Sequence, residues 1–342
     1  MSTRLYSAPA FVHSLAMADT IRWGILAPGK IARRFAEGLT ALPDARLVAV
    51  GSRSEERAKA FGREFGAAKC YGSYEELVAD PEVDAIYVSS LHTGHAGHSI
   101  LALEAGKAVL CEKPFAVNAA EARKVVETAR RRRVFCMEAM WTRFLPNMVR
   151  LRRLLQEKVI GEPRMLTADF GFRCDGNPSS RLMDPALGGG GLLDVGIYPI
   201  SLAFMIFGTP ARISAVAHIG ETGVDEQTAV LMGFPRGEIA ACLTAVRTTT
   251  PQLAILMGTA GRVELDRNWW RGGDLGVFLS GETRRLECPL TGNGYNYEAA
   301  EVSGCLREGK LESDVLGLDE SVRIMEAMDE VRRQIGLRYP LE

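Results

Sequence analysis

The sequence has no surplus of charge of either sign. Its 41 lysines and arginines stand against 42 aspartates and glutamates, a formal net charge of −1. A balance this close to zero offers no electrostatic attraction to nucleic acid or to an anionic membrane surface. No uncharged apolar run approaches the roughly 20 residues that a membrane span needs, so no spanning helix is expected. The seven cysteines (Cys70, Cys111, Cys136, Cys174, Cys242, Cys288 and Cys305) include no C-x-x-C pair. An odd, scattered set argues against a disulfide scaffold and against structural zinc; reduced thiols in a cytoplasmic protein are expected. There is no G-x-S-x-G elbow, no cysteine–histidine arrangement for nucleophilic catalysis and no internal repeat. What remains is a globular composition, 47% hydrophobic and 24% charged over 342 residues. That excludes disorder as the dominant state and leaves room for roughly two domains.

Residues 1–20 are expected to form an unstructured leader. Ala16-Met17-Ala18 bears a faint likeness to a signal-peptide cleavage site. Arg4 alone is a poor basic region, however, and His13 and Ser14 interrupt the apolar stretch. A true start at Met17 is the other reading.

From residue 21 short apolar runs alternate with helical periodicity. Strands are expected at 21–27, 46–51, 85–89, 108–111 and 134–137, and helices at 30–42, 55–65, 74–79, 95–105 and 119–132. This alternation implies a parallel sheet covered on both faces, with ligands bound beyond the carboxyl ends of its strands. After about residue 160 the rhythm changes. Strands at 164–173, 213–219, 227–234, 238–247, 252–257, 262–265, 275–279 and 284–288 are mostly joined by short turns, the pattern of an antiparallel meander. Helices are expected at 192–207, 297–306 and 318–335. Helices must cover one face of such a sheet and the other needs a partner, which points to a homodimer or homotetramer.

The turn after the first strand, Gly24-Ile25-Leu26-Ala27-Pro28-Gly29-Lys30-Ile31-Ala32, keeps small residues where backbone N–H groups and a helix N-terminus can approach a pyrophosphate. The glycine pattern is degraded; its position between a strand and a helix is what supports it. The second strand ends at Gly51-Ser52-Arg53-Ser54, with no acid there to bind the ribose 2′-hydroxyl of NAD. Ser52 and the planar cation of Arg53, with Arg57 one turn on, suit a 2′-phosphate, so NADP is the expected cofactor.

At Val109-Leu110-Cys111-Glu112-Lys113-Pro114 the chain resembles the Gfo/Idh/MocA oxidoreductases. The segments 24–32, 86–95 and 188–198 fit the same family, and the likeness extends from Ile21 to the last helix. Within it, Met137 to Phe144 and Asp194 to Tyr198 are similar to the branch of dimeric dihydrodiol dehydrogenase and NADP-dependent D-xylose 1-dehydrogenase. Many members carry His where Tyr198 stands. The resemblance implies an α/β Rossmann domain over 21–140, followed by an α+β substrate and oligomerisation domain over 141–342 with a large, mostly antiparallel open sheet. It implies NADP at Ala27, Gly29, Lys30, Ile31, Ser52, Arg53, Arg57, Ser90, Leu91, His92, His95, Glu112, Lys113, Trp141 and Arg143. It also implies a cis bond before Pro114 and a His95 that supports the loop beneath the nicotinamide.

The chemistry expected is hydride transfer between NADP and a secondary alcohol of a sugar, polyol or cyclic trans-diol. A phenol titrates near 10, so Tyr198 as proton carrier needs a nearby cation, and Lys113 is that cation. Asp194, four residues before Tyr198 on an expected helix, shares its face and can align the substrate. Taken singly, these residues have plainer readings: a surface cation for Lys113, a helix N-terminal acid for Asp194, a core aromatic for Tyr198. Trp141, Phe170 and Trp270 suit either a substrate wall or core packing. Arg143 suits either a ligand contact or a surface ion pair. His92, His95 and His98 recur every three residues without a further ligand type, so no metal is expected. A ketosugar (anhydrofructose-type) reductase is the alternative enzyme. A non-catalytic NADP sensor is the alternative of another class.

Overall fold

Uninterrupted apolar runs become the buried strands of a parallel sheet. The computed structural model describes residues 20–340; apart from Thr20, the expected leader lies outside the described residues. The first half runs β1 (Ile21–Leu26), α1 (Lys30–Leu39), β2 (Ala45–Gly51), α2 (Glu55–Phe65), β3 (Lys69–Tyr71), α3 (Tyr74–Ala79), β4 (Ala85–Val88), α4 (His95–Glu104), β5 (Ala108–Glu112), α5 (Ala119–Arg132) and β6 (Cys136–Ala139). The six strands pair in parallel in the order β3-β2-β1-β4-β5-β6, so strand order reverses between β1 and β4. That switch point is where an α/β sheet opens a crevice for a ligand. Ser89 laces it, its hydroxyl donating to the carbonyls of Leu26 and Ala27 at 3.0 and 3.1 Å.

The second half continues with α6 (Pro146–Gln156), β7 (Pro163–Gly171), α7 (Ile197–Phe207), β8 (Arg212–Ile219), β9 (Asp225–Gly233), β10 (Ile239–Ala245), β11 (Ala254–Gly258), β12 (Gly261–Leu265), β13 (Leu275–Leu279), β14 (Glu282–Leu286), α8 (Tyr295–Arg307) and α9 (Leu318–Ile335). Its eight strands lie in the order β14-β13-β12-β11-β7-β10-β9-β8. The expected meander is corrected on one point. β7, first in sequence, sits mid-sheet, parallel to β10 and antiparallel to β11. Neighbouring turns cannot reveal such an insertion. Helix α7 packs on β7 and β10, and α9 on β8.

Two elements were not foreseen. Strand β3 is three residues long, too short to show a period, and α6 opens on Pro146 in an arginine-rich stretch. The segment Pro185–Phe207 is long and apolar enough to cross a membrane by composition, yet 83% of it lies buried inside the fold, as a core helix does. All seven cysteines are free thiols.

Candidate active site

Three stretches far apart in sequence meet beyond the carboxyl end of the parallel sheet. Lys113 follows β5 directly, and its bond to Pro114 is cis. Glu138 on β6 secures that loop, one carboxylate oxygen accepting from the Phe115 N–H at 3.0 Å and the other from the Ser321 hydroxyl at 2.7 Å. Burial pushes the Glu138 carboxyl up to about 7. His95 packs beneath, its ring nitrogens 2.7 Å from Pro114 O and 3.0 Å from Ser90 O. Burial lowers it to about 4, and a neutral ring donates to only one of these carbonyls at a time.

Asp194 and Tyr198 come from the helix at the start of α7, but not on the geometry expected. Residues Leu192–Gly196 form a π turn in which the Ile197 N–H reaches back to Leu192 O. In a five-residue turn the partner of Asp194 O is the N–H of residue 199, and proline has none. Lys113 Nζ takes that carbonyl instead, at 2.8 Å. The same ammonium lies 3.7 Å from Asp194 Oδ1 and 4.9 Å from the centroid of the Tyr198 ring. Lys113 is therefore no surface cation; its side chain is 13% exposed.

Burial works against the Lys113 charge, but Tyr198, Asp194 and Glu112 outweigh it and hold the ammonium above its ordinary pKa. Burial also penalises the Asp194 carboxylate, yet Lys113, Arg181 and His92 bring it down to about 2. Tyr198 departs from expectation. Lys113 lowers it, as reasoned from the sequence, but burial is the larger effect and leaves the phenol above its ordinary value. At neutral pH the hydroxyl keeps its proton and accepts a 3.0 Å hydrogen bond from Trp141 Nε1.

The aromatic candidates form one continuous surface around that phenol. Trp141 stacks on Tyr295, Phe170 meets the Tyr198 ring edge-on, and Phe170 stacks on Trp270. All are buried, as core residues are, and all connect to Tyr198 directly or through one another.

Two residues expected at the cofactor turn their side chains into the fold. Arg143 is 3% exposed and donates to Ser201 Oγ, Ser201 O and Glu320 Oε1, tying α7 to α9. Glu112 faces inward: the Tyr87 hydroxyl and the Lys113 N–H take its two oxygens. Beyond it lies Glu298, also fully buried, with neither carboxylate oxygen hydrogen-bonded among the described residues. His92 donates through Nδ1 to Gly188 O and turns Nε2 toward Asp194 at 3.9 Å, while His98 bonds Ser90 Oγ. Arg181 was not foreseen. Half exposed in the connection between β7 and α7, it bonds Asp194 Oδ1 at 3.0 Å, and no spacing in the sequence marks it.

The crevice at the switch point fits a dinucleotide. Ala27 sits at φ +67° in the turn after β1, and the position of a side chain on Gly29 is open space except for Ala27 O at 3.9 Å. Helix α1 starts there with no capping side chain and no acid in its first turn, whereas Ser54 and Ser73 cap α2 and α3. Its leading N–H groups, at Lys30 and Ile31, are thus the donors an anionic pyrophosphate needs. Ser52 is buried at the end of β2, and Arg53 and Arg57 stand exposed beside it, with Arg53 against the Tyr74 hydroxyl. Ser90 is half-buried and Leu91 exposed just past the end of β4.

Residues 21–140 match the NAD-binding Rossmann-fold domain of the Gfo/Idh/MocA oxidoreductases, and 148–264 match the C-terminal domain of the same family. Over 332 residues the chain is 41% identical to trans-1,2-dihydrobenzene-1,2-diol dehydrogenase of Mus musculus, covering 94% of this chain and 98% of that one. The chain belongs to the Gfo/Idh/MocA family. The Homo sapiens protein of the same name is 40% identical, with 94% and 98% covered. Among solved structures, a 3-ketoreductase, KijD10 of Actinomadura kijaniata, in complex with NADP and TDP-benzene, aligns at TM-score 0.83 and 26% identity over 93% of this chain and 98% of that one. The aldose-aldose oxidoreductase of Caulobacter crescentus aligns at TM-score 0.85, with 92% and 97% covered; at 24% identity it speaks for the fold alone. As a Gfo/Idh/MocA member the chain is an oxidoreductase with an NAD(P)-binding Rossmann domain, which sets aside the non-catalytic sensor.

The depressed Asp194 carboxyl has a consequence for stability. A carboxyl held at about 2 when folded and near 4 when unfolded stabilises the fold above pH 4 and loses that contribution as pH falls toward 2. The difference in unfolding free energy between the native chain and Asp194→Asn is expected to shrink by roughly 2 kcal/mol over that interval. Urea titrations at pH 5, 4, 3 and 2 measure it; a difference that does not change with pH removes the electrostatic account.

Proposed function

We propose that the chain is an NADP(H)-dependent oxidoreductase that moves a hydride between a secondary alcohol of a sugar, polyol or cyclic trans-diol and the nicotinamide. The observation that carries this reading is the meeting of Lys113 Nζ with the Asp194 carboxylate, at 3.7 Å, and with the face of the Tyr198 ring, at 4.9 Å. The nicotinamide, when bound, accepts or gives the hydride. Tyr198 exchanges the hydroxyl proton, Lys113 favours the charge that develops on the phenol and the substrate oxygen, and Asp194 orients the substrate hydroxyls. The aromatic surface of Phe170, Trp270 and Trp141 offers flat apolar faces to ring carbons. The dihydrodiol dehydrogenase name of the relatives near 40% identity supports a diol or sugar substrate.

Preference for NADP is supported by Ser52, Arg53 and Arg57 at the end of β2, where no acid stands to repel a 2′-phosphate. A structural relative crystallised with NADP is in keeping with it. A second reading runs the same site toward carbonyl reduction on a ketosugar. In that direction the protonated Tyr198 phenol would give its proton to the new hydroxyl.

The uncovered face of the eight-stranded sheet supports a homodimer or homotetramer. Val216, Leu231 and Leu243 are 75%, 55% and 50% exposed on β8, β9 and β10. Ala229 pairs with both Val216 and Leu243, so these apolar side chains share one face.

Absorbance at 340 nm with NADP⁺ against aldoses, inositols and trans-dihydrodiols, repeated with NAD⁺, tests the function; no turnover of any polyhydroxy compound overturns it. Tyr198→Phe is expected to lower turnover by roughly 10²-fold or more, and near-normal turnover defeats the acid/base role. Arg53→Ala is expected to raise the KM for NADP⁺ roughly tenfold while leaving NAD⁺ unaffected; equal effects on both cofactors end the 2′-phosphate assignment. In sedimentation velocity, Leu243→Glu is expected to convert an oligomer to monomer, and a native chain that sediments as a monomer removes the oligomer.

A further inference from the structure

One buried carboxylate lies behind the site without touching it. Asp225 is the first residue of β9 and is fully buried. Its Oδ2 accepts the N–H of Leu192, at the first residue of the π turn, at 2.8 Å and the Thr228 hydroxyl at 2.7 Å. Its Oδ1 has no hydrogen-bond partner among the described residues. Gly190 approaches that oxygen so closely that a Cβ there would stand 2.2 Å from it, and its φ of +107° is one that only glycine adopts freely. Two further bonds hold the same loop: Thr244 Oγ1 donates to Gly191 O at 3.2 Å, and the Tyr339 hydroxyl donates to Gly189 O at 3.0 Å.

A carboxylate on the leading N–H of a helix satisfies an otherwise orphaned donor and places negative charge at the positive end of the dipole. The helix so held runs through the π turn into α7, and its first two turns carry Asp194 and Tyr198. We propose that Asp225 is a positioning residue whose carboxyl, by accepting the Leu192 N–H, anchors the helix start that holds Asp194 and Tyr198 against Lys113. The inference rests on the catalytic reading of that trio.

The surroundings of Asp225 leave this charge finely balanced. The groups facing it are the Thr228 and Thr244 hydroxyls, the backbone of Gly190 to Leu192, and Ile219, its pairing partner on β8. No ion pair to it exists among the described residues. Burial raises the carboxyl to about 7, with the Thr228 hydroxyl and the Leu192 N–H working the other way. Burial outweighs those bonds, so closing the loop over Asp225 favours its proton: the helix start is held more firmly below that point and less firmly once the carboxyl ionises.

Hydrogen exchange reads this without substrate or cofactor. Protection of the amides at 192–200, corrected for the intrinsic pH dependence of exchange, is expected to rise about tenfold from pH 8 to pH 6, as the raised carboxyl takes up its proton. Asp225→Asn keeps the shape and an acceptor oxygen but cannot ionise, and is expected to show the same, higher protection at both pH values. Thr228→Val removes a donor that favours the carboxylate, so it raises the midpoint by about one pH unit. That variant separates Asp225 from Glu138, which titrates in the same range beside the Lys113 loop. Protection that is equal at pH 6 and 8, or a midpoint unmoved in Thr228→Val, overturns the proposal. If no polyhydroxy compound is turned over, the catalytic reading fails while the exchange measurement still decides whether Asp225 anchors the helix.

Discussion

A lysine ammonium stripped of most of its water must be compensated on every side, and in this fold the compensation at Lys113 organises the site. A carboxylate, a main-chain carbonyl and the π face of a phenol ring surround Nζ. Each partner limits the others. The carbonyl is available because Pro199 cannot bond it, the carboxylate stays charged because Lys113 and Arg181 hold it so, and the phenol lies where the cation favours its ionised form. Removing the cation would leave a buried carboxylate uncompensated, the costly way to break such a pair.

The scaffold's work is to bring two unrelated chain segments to this ion. The parallel sheet ends β5 at the crevice and delivers Lys113 from one side. From the other, the glycine-rich loop and the π turn deliver Asp194 and Tyr198, braced on the second sheet through α7, β7 and β10. Arg143, read from the sequence as a ligand contact, is part of the bracing. It joins α7 to α9 and leaves contact with the phenol to Trp141. The charged groups and the aromatic cluster around Tyr198 are thus drawn from both halves of the chain.

Much of this was legible beforehand because it is local. Apolar runs and helical periods located nearly all the strands and helices. The strand–turn–helix at Gly24 to Ala32 marked the crevice. What escaped was short or aperiodic: the three residues of β3, the arginine-rich α6, and Arg181 in its connection.

By itself the amino-acid order determined the two kinds of sheet, the phosphate turn and the residue types able to carry an acid, a base and a cation, since each is written in neighbouring residues and their periods. Only the tertiary structure decided that β7 enters mid-sheet, that Glu112 and Arg143 face inward, and that burial outweighs Lys113 in setting the Tyr198 phenol. The physical reason is the same in each case. Strand insertion, side-chain direction and desolvation depend on what the rest of the chain places nearby, and no local pattern records that.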